Sequence, residues 1–190
     1  MKSQQSRIFS SCYRHLSYYV PVACAVLATS IGLANAHEMP ALSPELEAVR
    51  ASVEKYKDPI VAVRDGYHST VACIEGANGA MGVHLINGQF IVPEPDPMRP
   101  AVLVYEPVGG KLELVGVEWL APAPPESEKP HMFGREMHGP MDGHEPLMPK
   151  EVRHYDLHAW IFKANPAGVF ESWNADVTCD AEPGYTIMME

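Results

Sequence analysis

Short β-forming runs separated by glycine and asparagine turns constrain the fold of this chain more than any other feature of its sequence. The turns include Asn78-Gly79, Asn87-Gly88 and Gly109-Gly110, and such pairs are typical of tight connections between strands. Because strands do not alternate with helices, a parallel sheet is disfavoured. The sequence predicts an antiparallel sheet that curls toward a barrel, with a hairpin around Gly109-Gly110. The predicted strands are residues 60–63, 70–74, 81–86, 101–105, 112–120 and 154–162.

One helix is predicted ahead of the sheet. The motif Ser43-Pro44-Glu45 is typical of a helix start, since Ser caps the first turn, Pro fits the first helical position and an acid suits the N-terminus. Apolar residues recur at helical spacing from Leu46 to Tyr56. The helix should end near Asp58-Pro59, because proline disfavours helix in the residue before it. The fold class is therefore α+β and β-rich, with one N-terminal amphipathic helix.

Residues 1–36 are typical of an export signal. They carry three basic residues and no acidic ones, an apolar run at 20–33, and the small-residue cleavage pattern Ala34-Asn35-Ala36. The sequence predicts cleavage at this point and a single globular domain at 37–190, in the periplasm or outside the cell. The alternatives are a retained membrane anchor and cleavage two residues earlier.

The chain is acidic, with a formal net charge of −10. Removal of the signal would leave 11 of its 14 Lys and Arg residues against all 24 Asp and Glu residues. Such a surface repels nucleic acid and anionic lipid, since both are bound through compensation of their negative charge. No nucleic-acid partner is expected, and no membrane partner after signal cleavage.

Cys73 and Cys179 would be the two cysteines of the mature domain, since Cys12 and Cys24 lie in the predicted signal. Two cysteines in an exported domain most simply form one disulfide. A loop of this length stabilises a fold by about 4–5 kcal/mol in the chain-entropy model. The alternative, a cysteine-based redox or copper site, lacks a Cys-x-x-Cys pair.

Residues 121–150 form a long loop insertion with seven prolines and three glycines. Loops of this length are usually functional or disordered. Imidazole and thioether donors together favour copper, so we expect flexible metal ligands here. The alternative is a variable surface loop whose methionines pack on the body of the domain. The candidate flexible ligands are Met137, His138, Met141 and His144.

His37 would be the first residue of the mature protein. Its α-amine and imidazole would then offer two nitrogens to one metal ion, as in copper enzymes that use an N-terminal histidine brace. His84 or His158 would supply the third nitrogen. Only the terminal position supports this hypothesis, because the surrounding pattern of the oxidative polysaccharide-cleaving enzymes is absent.

The run 154–160 (HYDLHAW) predicts a polar face on one strand, since alternate residues of a strand share a face. That face carries His154, Asp156, His158 and Trp160. If His84 faces the same side, His84 and His158 are the ordered metal ligands. Asp156 and the neighbouring His154 would not bind the ion themselves but would orient His158, which does. The alternative is a pair of half-buried structural histidines.

Five blocks of the chain form specific motifs: 80–84 (AMGVH), 99–107 (RPAVLVYEP), 114–119 (LVGVEW), 139–146 (GPMDGHEP) and 155–168 (YDLHAWIFKANPAG). They resemble a family of bacterial secreted proteins that has no established activity. The resemblance spans about Tyr56 to Cys179. It implies that the region of His144 is a regular part of the domain, and it supplies no catalytic residues.

The sequence favours an exported protein that binds a transition metal, with copper preferred over zinc. A second hypothesis is a metal-free module that binds a small molecule or partner in a cleft beside Trp160 and Trp119. A third is a secreted metal-dependent enzyme, although no nucleophile elbow or phosphate-binding glycine loop is present. No catalytic residue can be assigned.

Overall fold

The structure is a computed structural model that describes residues 38–144, 148–180 and 186–189. All of these residues belong to one compact unit, Asn35–Glu190. The predicted signal and His37 lie outside the described residues. No helix in the described part of the chain is long and apolar enough to cross a membrane.

Within the described residues, seven strands form one sheet in the order β7-β8-β4-β3-β2-β1-β9. All neighbours are antiparallel except β1 and β9, which are parallel at one edge. No pairing joins β7 to β9 among these residues, so the predicted curl toward a barrel is not confirmed. The strands of this sheet are β1 (His68–Gly76), β2 (Gly79–Ile86), β3 (Val102–Val108), β4 (Lys111–Pro122), β7 (His138–Met141), β8 (His154–Ala159) and β9 (Thr186–Met189).

Turn chemistry sets the register of the central strands. Gly109 and Gly110 join β3 to β4 with φ angles of 57° and 77°, the left-handed conformations that a tight hairpin turn requires. The predicted hairpin is therefore confirmed. Its register pairs Val102 with Glu118 and Val108 with Lys111, and this places Glu118 on the central, buried part of β4.

Two short helices precede the sheet. The predicted helix begins at Pro44 as α1 (Pro44–Val53), with the Ser43 hydroxyl accepting from the Leu46 amide at 3.3 Å. It continues as a 3-10 turn (Glu54–Lys57). It lies well inside the chain, so it is not N-terminal in the full sequence.

The strand predicted at 60–63 is wrong, because that segment is a second helix, α2 (Pro59–Arg64). Asp58 caps it by accepting from the Ile60 amide at 2.9 Å, and Pro59 occupies the first helical position. The same cap-and-proline start as in α1 thus overrides the β preference of Ile60 and Val63, which are both exposed.

The proline-rich segment 121–150 contributes strands of its own. A small hairpin of β5 (His131–Met132) and β6 (Arg135–Glu136) stands apart from the main sheet, whereas β7 joins that sheet beside β8. Strands of two to four residues are too short to show alternation in the sequence. The segment therefore forms one edge of the sheet.

The core lies between the sheet and the helices, and the predicted disulfide is part of it. Leu46 and Val49 of α1 pack with Leu103 and Tyr105 of β3 in one buried cluster. Cys73 of β1 and Cys179 form a disulfide, as the sequence predicted. The bridge ties the C-terminal segment to the strand that follows α2.

Candidate metal centre

Three strands bring two of the predicted histidines together with a glutamate. His84 lies on β2, while Glu118 on β4 and His158 on β8 are direct cross-strand partners. His84 Nε2 lies 3.8 Å from Glu118 Oε2, and His158 Nε2 lies 3.8 Å from Glu118 Oε1. One ligand atom from each residue lies within 4.8 Å of the other two. We refer to these residues as the buried triad.

The two histidines reach each other across two intervening strands. β3 and β4 separate β2 from β8, and three strand spacings correspond to about 14 Å between backbones in a flat sheet. The ring centroids of His84 and His158 are nevertheless 6.1 Å apart. Both side chains therefore lean inward over the same face, with Glu118 between them.

The buried triad has donor atoms for which the described residues provide no hydrogen bond. His84, Glu118 and His158 are only 5%, 6% and 2% exposed. Both ring nitrogens of His158 are buried and lack a hydrogen-bond partner within the described part of the chain. An unpaired buried polar atom costs about 1–3 kcal/mol, so native structures rarely leave one without a purpose.

The spacing of the triad suits a metal ion. Ligand nitrogen and oxygen atoms lie about 2.0–2.2 Å from a metal such as zinc, so tetrahedral ligands sit about 3.4 Å from one another. The two 3.8 Å contacts are too long for hydrogen bonds and only slightly too long for shared coordination. Small side-chain movements would close them around an ion.

Burial shifts the pKa of each triad residue so that its uncharged form is favoured. It lowers the pKa of His84 to about 4, with His144 adding a smaller effect. It lowers the pKa of His158 well below its ordinary value, and His84, His138 and His144 lower it further. A neutral imidazole is the form that binds a metal ion. Both histidines are thus held ready for coordination.

Burial acts on the glutamate in the opposite direction. It raises the pKa of Glu118 well above its ordinary value, and the nearby Asp156 raises it further. The metal-free site therefore favours the uncharged carboxylic acid. A bound cation reverses this preference, so Glu118 would lose its proton when an ion enters.

A cavity of about 60 Å³ opens onto the triad. His144, His154 and Asp156 add polar groups to its wall. The His144 and His154 rings form a T-shaped contact, with centroids 5.3 Å apart and ring planes at 84°. The other lining residues are Thr70, Ile74, Met81, Ile86, Leu120 and Met148. The site is thus a small, mostly apolar chamber with a concentration of imidazoles.

Asp156 lies between the triad and an outer histidine. Its Oδ2 is 4.0 Å from His158 Nδ1, beyond hydrogen-bond distance, and its Oδ1 is 3.7 Å from His138 Nδ1. Burial raises the pKa of Asp156 to about 6, an effect that His138 opposes. His138 is partly exposed, and its Nδ1 lies 3.3 Å from Ser172 Oγ. His138 therefore contacts Asp156 rather than the triad.

The other candidate residues fall into different places. His144 lines the cavity, and His154 and Asp156 share the face of His158 as the strand alternation predicted. Met137 is 1% exposed and belongs to the hydrophobic core. Met141 is partly buried on β7, opposite His154. The cavity thus takes one of the four predicted flexible ligands.

Trp119 and Trp160 are core residues rather than walls of an open cleft. They are 0% and 1% exposed. The Trp119 indole donates to the Asp96 carbonyl at 3.2 Å, and the Trp160 indole donates to the Glu171 carbonyl at 2.6 Å. Trp160 also stacks on His158, with ring centroids 6.4 Å apart. Trp160 therefore packs against one residue of the buried triad.

Sequence reasoning missed Glu118 as a candidate metal ligand. The available signal was a single acidic residue within the apolar run Leu114–Leu120, since a charged side chain on a buried strand needs a partner. Glu113 on the same strand is exposed, which is the ordinary place for a carboxylate. Met81 and Met148 were missed as cavity residues because nothing in their local sequence links them to His84 or His144.

Comparison with known proteins gives no family to which this site can be referred. No family model, no curated protein and no solved structure matches the chain. The case for a function therefore depends on the geometry of the buried triad.

Proposed function

We propose that this protein is exported and binds one transition-metal ion between His84, Glu118 and His158. The observation that carries the proposal is His158, whose two ring nitrogens are buried beside a second histidine and a glutamate and have no hydrogen-bond partner among residues 38–144, 148–180 and 186–189. A structural histidine in a core would be hydrogen-bonded. A metal ion would satisfy His158 Nε2 and the two facing groups at once.

The donor set favours a divalent ion. Two imidazoles and one carboxylate suit Cu(II), Zn(II) and related ions, and for such ligands copper binds most tightly. We therefore propose copper as the preferred ion and zinc as the second. The sequence favoured copper because of the thioethers of Met137 and Met141. These do not support the present proposal, because Met137 packs in the core and neither residue lines the cavity.

Two independent features support the proposed export. The predicted signal at residues 1–36 would direct export, and the Cys73–Cys179 disulfide fits an oxidising compartment. We propose that the site meets its metal there.

The test is a pair of isosteric substitutions on one strand. Glu118→Gln removes the negative charge of the proposed ligand and keeps its shape, whereas Glu113→Gln makes the same change at an exposed position of β4. Isothermal titration calorimetry with Cu(II) and with Zn(II) measures the affinity. We expect E118Q to weaken binding more than about 100-fold, and E113Q to leave it within about twofold.

The metal-free stability of the same variants separates a ligand from a structural group. Because burial favours the protonated form of Glu118, a glutamine closely imitates it without metal. The free energy of unfolding of metal-free E118Q should therefore change by less than about 1 kcal/mol. Equal metal affinity in the wild type and E118Q would refute the proposal.

A second candidate is a metal-dependent enzyme. Three protein ligands and an adjoining cavity match catalytic metal sites, which keep one coordination position open. With a volume of about 60 Å³, the cavity is far smaller than the roughly 300–1,000 Å³ typical of pockets for drug-sized ligands. It would admit only a very small substrate, and it offers little room for the metal-free organic ligand of the alternative hypothesis. Broadening of the Cu(II) electron paramagnetic resonance signal in ¹⁷O-enriched water would reveal the open position, and its absence would count against an enzyme.

A further inference from the structure

The cavity holds a second set of metal donors above the buried triad. His144 and Met148 are partly exposed, whereas His84, Glu118 and His158 are buried. All five line the same cavity. His144 and Met148 therefore form its outer part, which we call the mouth.

A backbone contact holds the two mouth residues together. The Met148 amide donates to the His144 carbonyl at 2.9 Å, and the Gly143 amide donates to the Lys150 carbonyl at 3.2 Å. A Cβ atom at Gly143 would lie 2.0 Å from the Pro149 carbonyl oxygen, so only glycine fits this close approach. These backbone contacts hold the residues that carry the imidazole and the thioether together at the cavity.

His154 completes the set from the sheet. Its Nδ1 lies 3.2 Å from the Val152 carbonyl oxygen. A carbonyl can only accept, so Nδ1 carries the proton and Nε2 keeps the lone pair of the neutral ring. Fixing one ring nitrogen on a backbone carbonyl is the usual arrangement for a histidine that binds a metal through the other. The His144 ring is in edge contact with this ring.

The chemistry of the two sets differs. The triad offers two imidazoles and a carboxylate, whereas the mouth offers two imidazoles and a thioether. Carboxylate ligands suit harder divalent ions, and thioether ligands select Cu(I). We propose that His144, His154 and Met148 form a second metal site, selective for a soft monovalent cation of the Cu(I) class, at the entrance to the buried triad.

The test loads the two sites with different ions. Ag(I) has the ligand preferences of Cu(I) and no redox chemistry under these conditions, and Zn(II) is a probe for the triad. Native mass spectrometry of the exported protein counts each ion. We expect the zinc-loaded wild type to take up one Ag(I). His144→Ala and Met148→Leu should weaken Ag(I) binding at least tenfold and retain zinc.

Matched controls lie outside the cavity. His131→Ala removes an exposed histidine of β5, and Met98→Leu removes an exposed methionine; both variants should bind Ag(I) and zinc as the wild type does. His154 is buried, so His154→Ala is informative only alongside His144→Ala and Met148→Leu.

Several outcomes would overturn the second site. One is a zinc-loaded wild type that takes up no Ag(I), and another is uptake that survives both H144A and M148L. Loss of zinc in H144A would also refute it, because His144 would then be a ligand of the triad ion. The test is independent of the triad: if neither Zn(II) nor Cu(II) binds, the proposed function fails, whereas Ag(I) uptake that requires His144 still supports the mouth site.

Discussion

The buried triad and the segment 131–148 differ in how their metal donors are arranged. The segment is the part of the chain richest in histidine and methionine, yet its members point to different places: Met137 into the core, His138 toward Asp156, and His144 into the cavity. The triad draws single residues from three strands far apart in sequence. Strand register, rather than local density of donors, builds the more complete site.

This difference assigns distinct roles to the two regions. In the triad, burial favours the neutral form of both histidines, and the described residues offer His158 no hydrogen-bond partner, so metal binding would relieve a cost that the fold already bears. In the segment, His131 is exposed and hydrogen-bonded to the Lys129 carbonyl. Metal affinity should therefore depend strongly on the triad and weakly on most of the segment.

The largest expected effect comes from two histidines on opposite sides of Asp156. His158→Ala should weaken Cu(II) and Zn(II) binding more than 100-fold, beyond the roughly 10–100-fold typical of residues that only support a ligand. His138→Ala should weaken it by about tenfold at most, because His138 contacts Asp156 and Ser172 rather than the buried triad. Titration calorimetry measures both, and thermal unfolding checks that both variants fold. Equal losses would erase the distinction between the two regions.

A smaller effect concerns the pH dependence of the metal-free protein. Burial lowers the pKa of His84 from 6.5 to about 4. The unfolded state thus binds the extra proton, and stability is lost as the pH falls from 6.5 toward 4. Burial raises the pKa of Asp156 from 3.8 to about 6. The stability that this raised pKa contributes is fully present below pH 3.8 and is lost as the pH rises toward 6.

Urea unfolding between about pH 4.5 and pH 7 measures these opposite slopes. Relative to the wild type, His84→Gln should lose less stability on acidification, because the depressed histidine is gone. Asp156→Asn should lose more, since the group that gains from acidification is absent. Parallel pH profiles for all three proteins would show that these side chains are not buried as described.

The smallest expected effect tests the sulfur donors that the sequence favoured. Met137→Leu conserves volume in the core and should cost less than about 1.5 kcal/mol of unfolding free energy. It should leave the Cu(II) affinity within about twofold, because Met137 packs among apolar residues. A large loss of copper affinity in M137L would instead indicate that the segment 131–148 supplies copper ligands.

Local patterns predicted the parts of the fold that local chemistry controls. The Ser43 cap, the Gly109-Gly110 turn and the alternation around His158 all act within a few residues, and the structure agrees with them. The segment 60–63 failed because β preference competed with a cap and a proline, and the cap prevailed.

The candidate site was predictable only in part for the same reason. His84 and His158 could be named because each lies on a recognisable strand. Glu118 could not be assigned to them without the β4–β8 register, which depends on long-range pairing. Met148 likewise lies at the cavity, hydrogen-bonded to the His144 carbonyl, and no periodicity in the sequence predicts this contact.

The most direct test of metal binding by the buried triad is the position of the metal itself. Crystals of the exported protein grown with Cu(II), and separately with Zn(II), should show an anomalous peak at each metal's absorption edge. We predict a peak about 2.0–2.2 Å from His84 Nε2, His158 Nε2 and a carboxylate oxygen of Glu118. A peak confined to exposed residues such as His131, with the triad unchanged, would contradict the account.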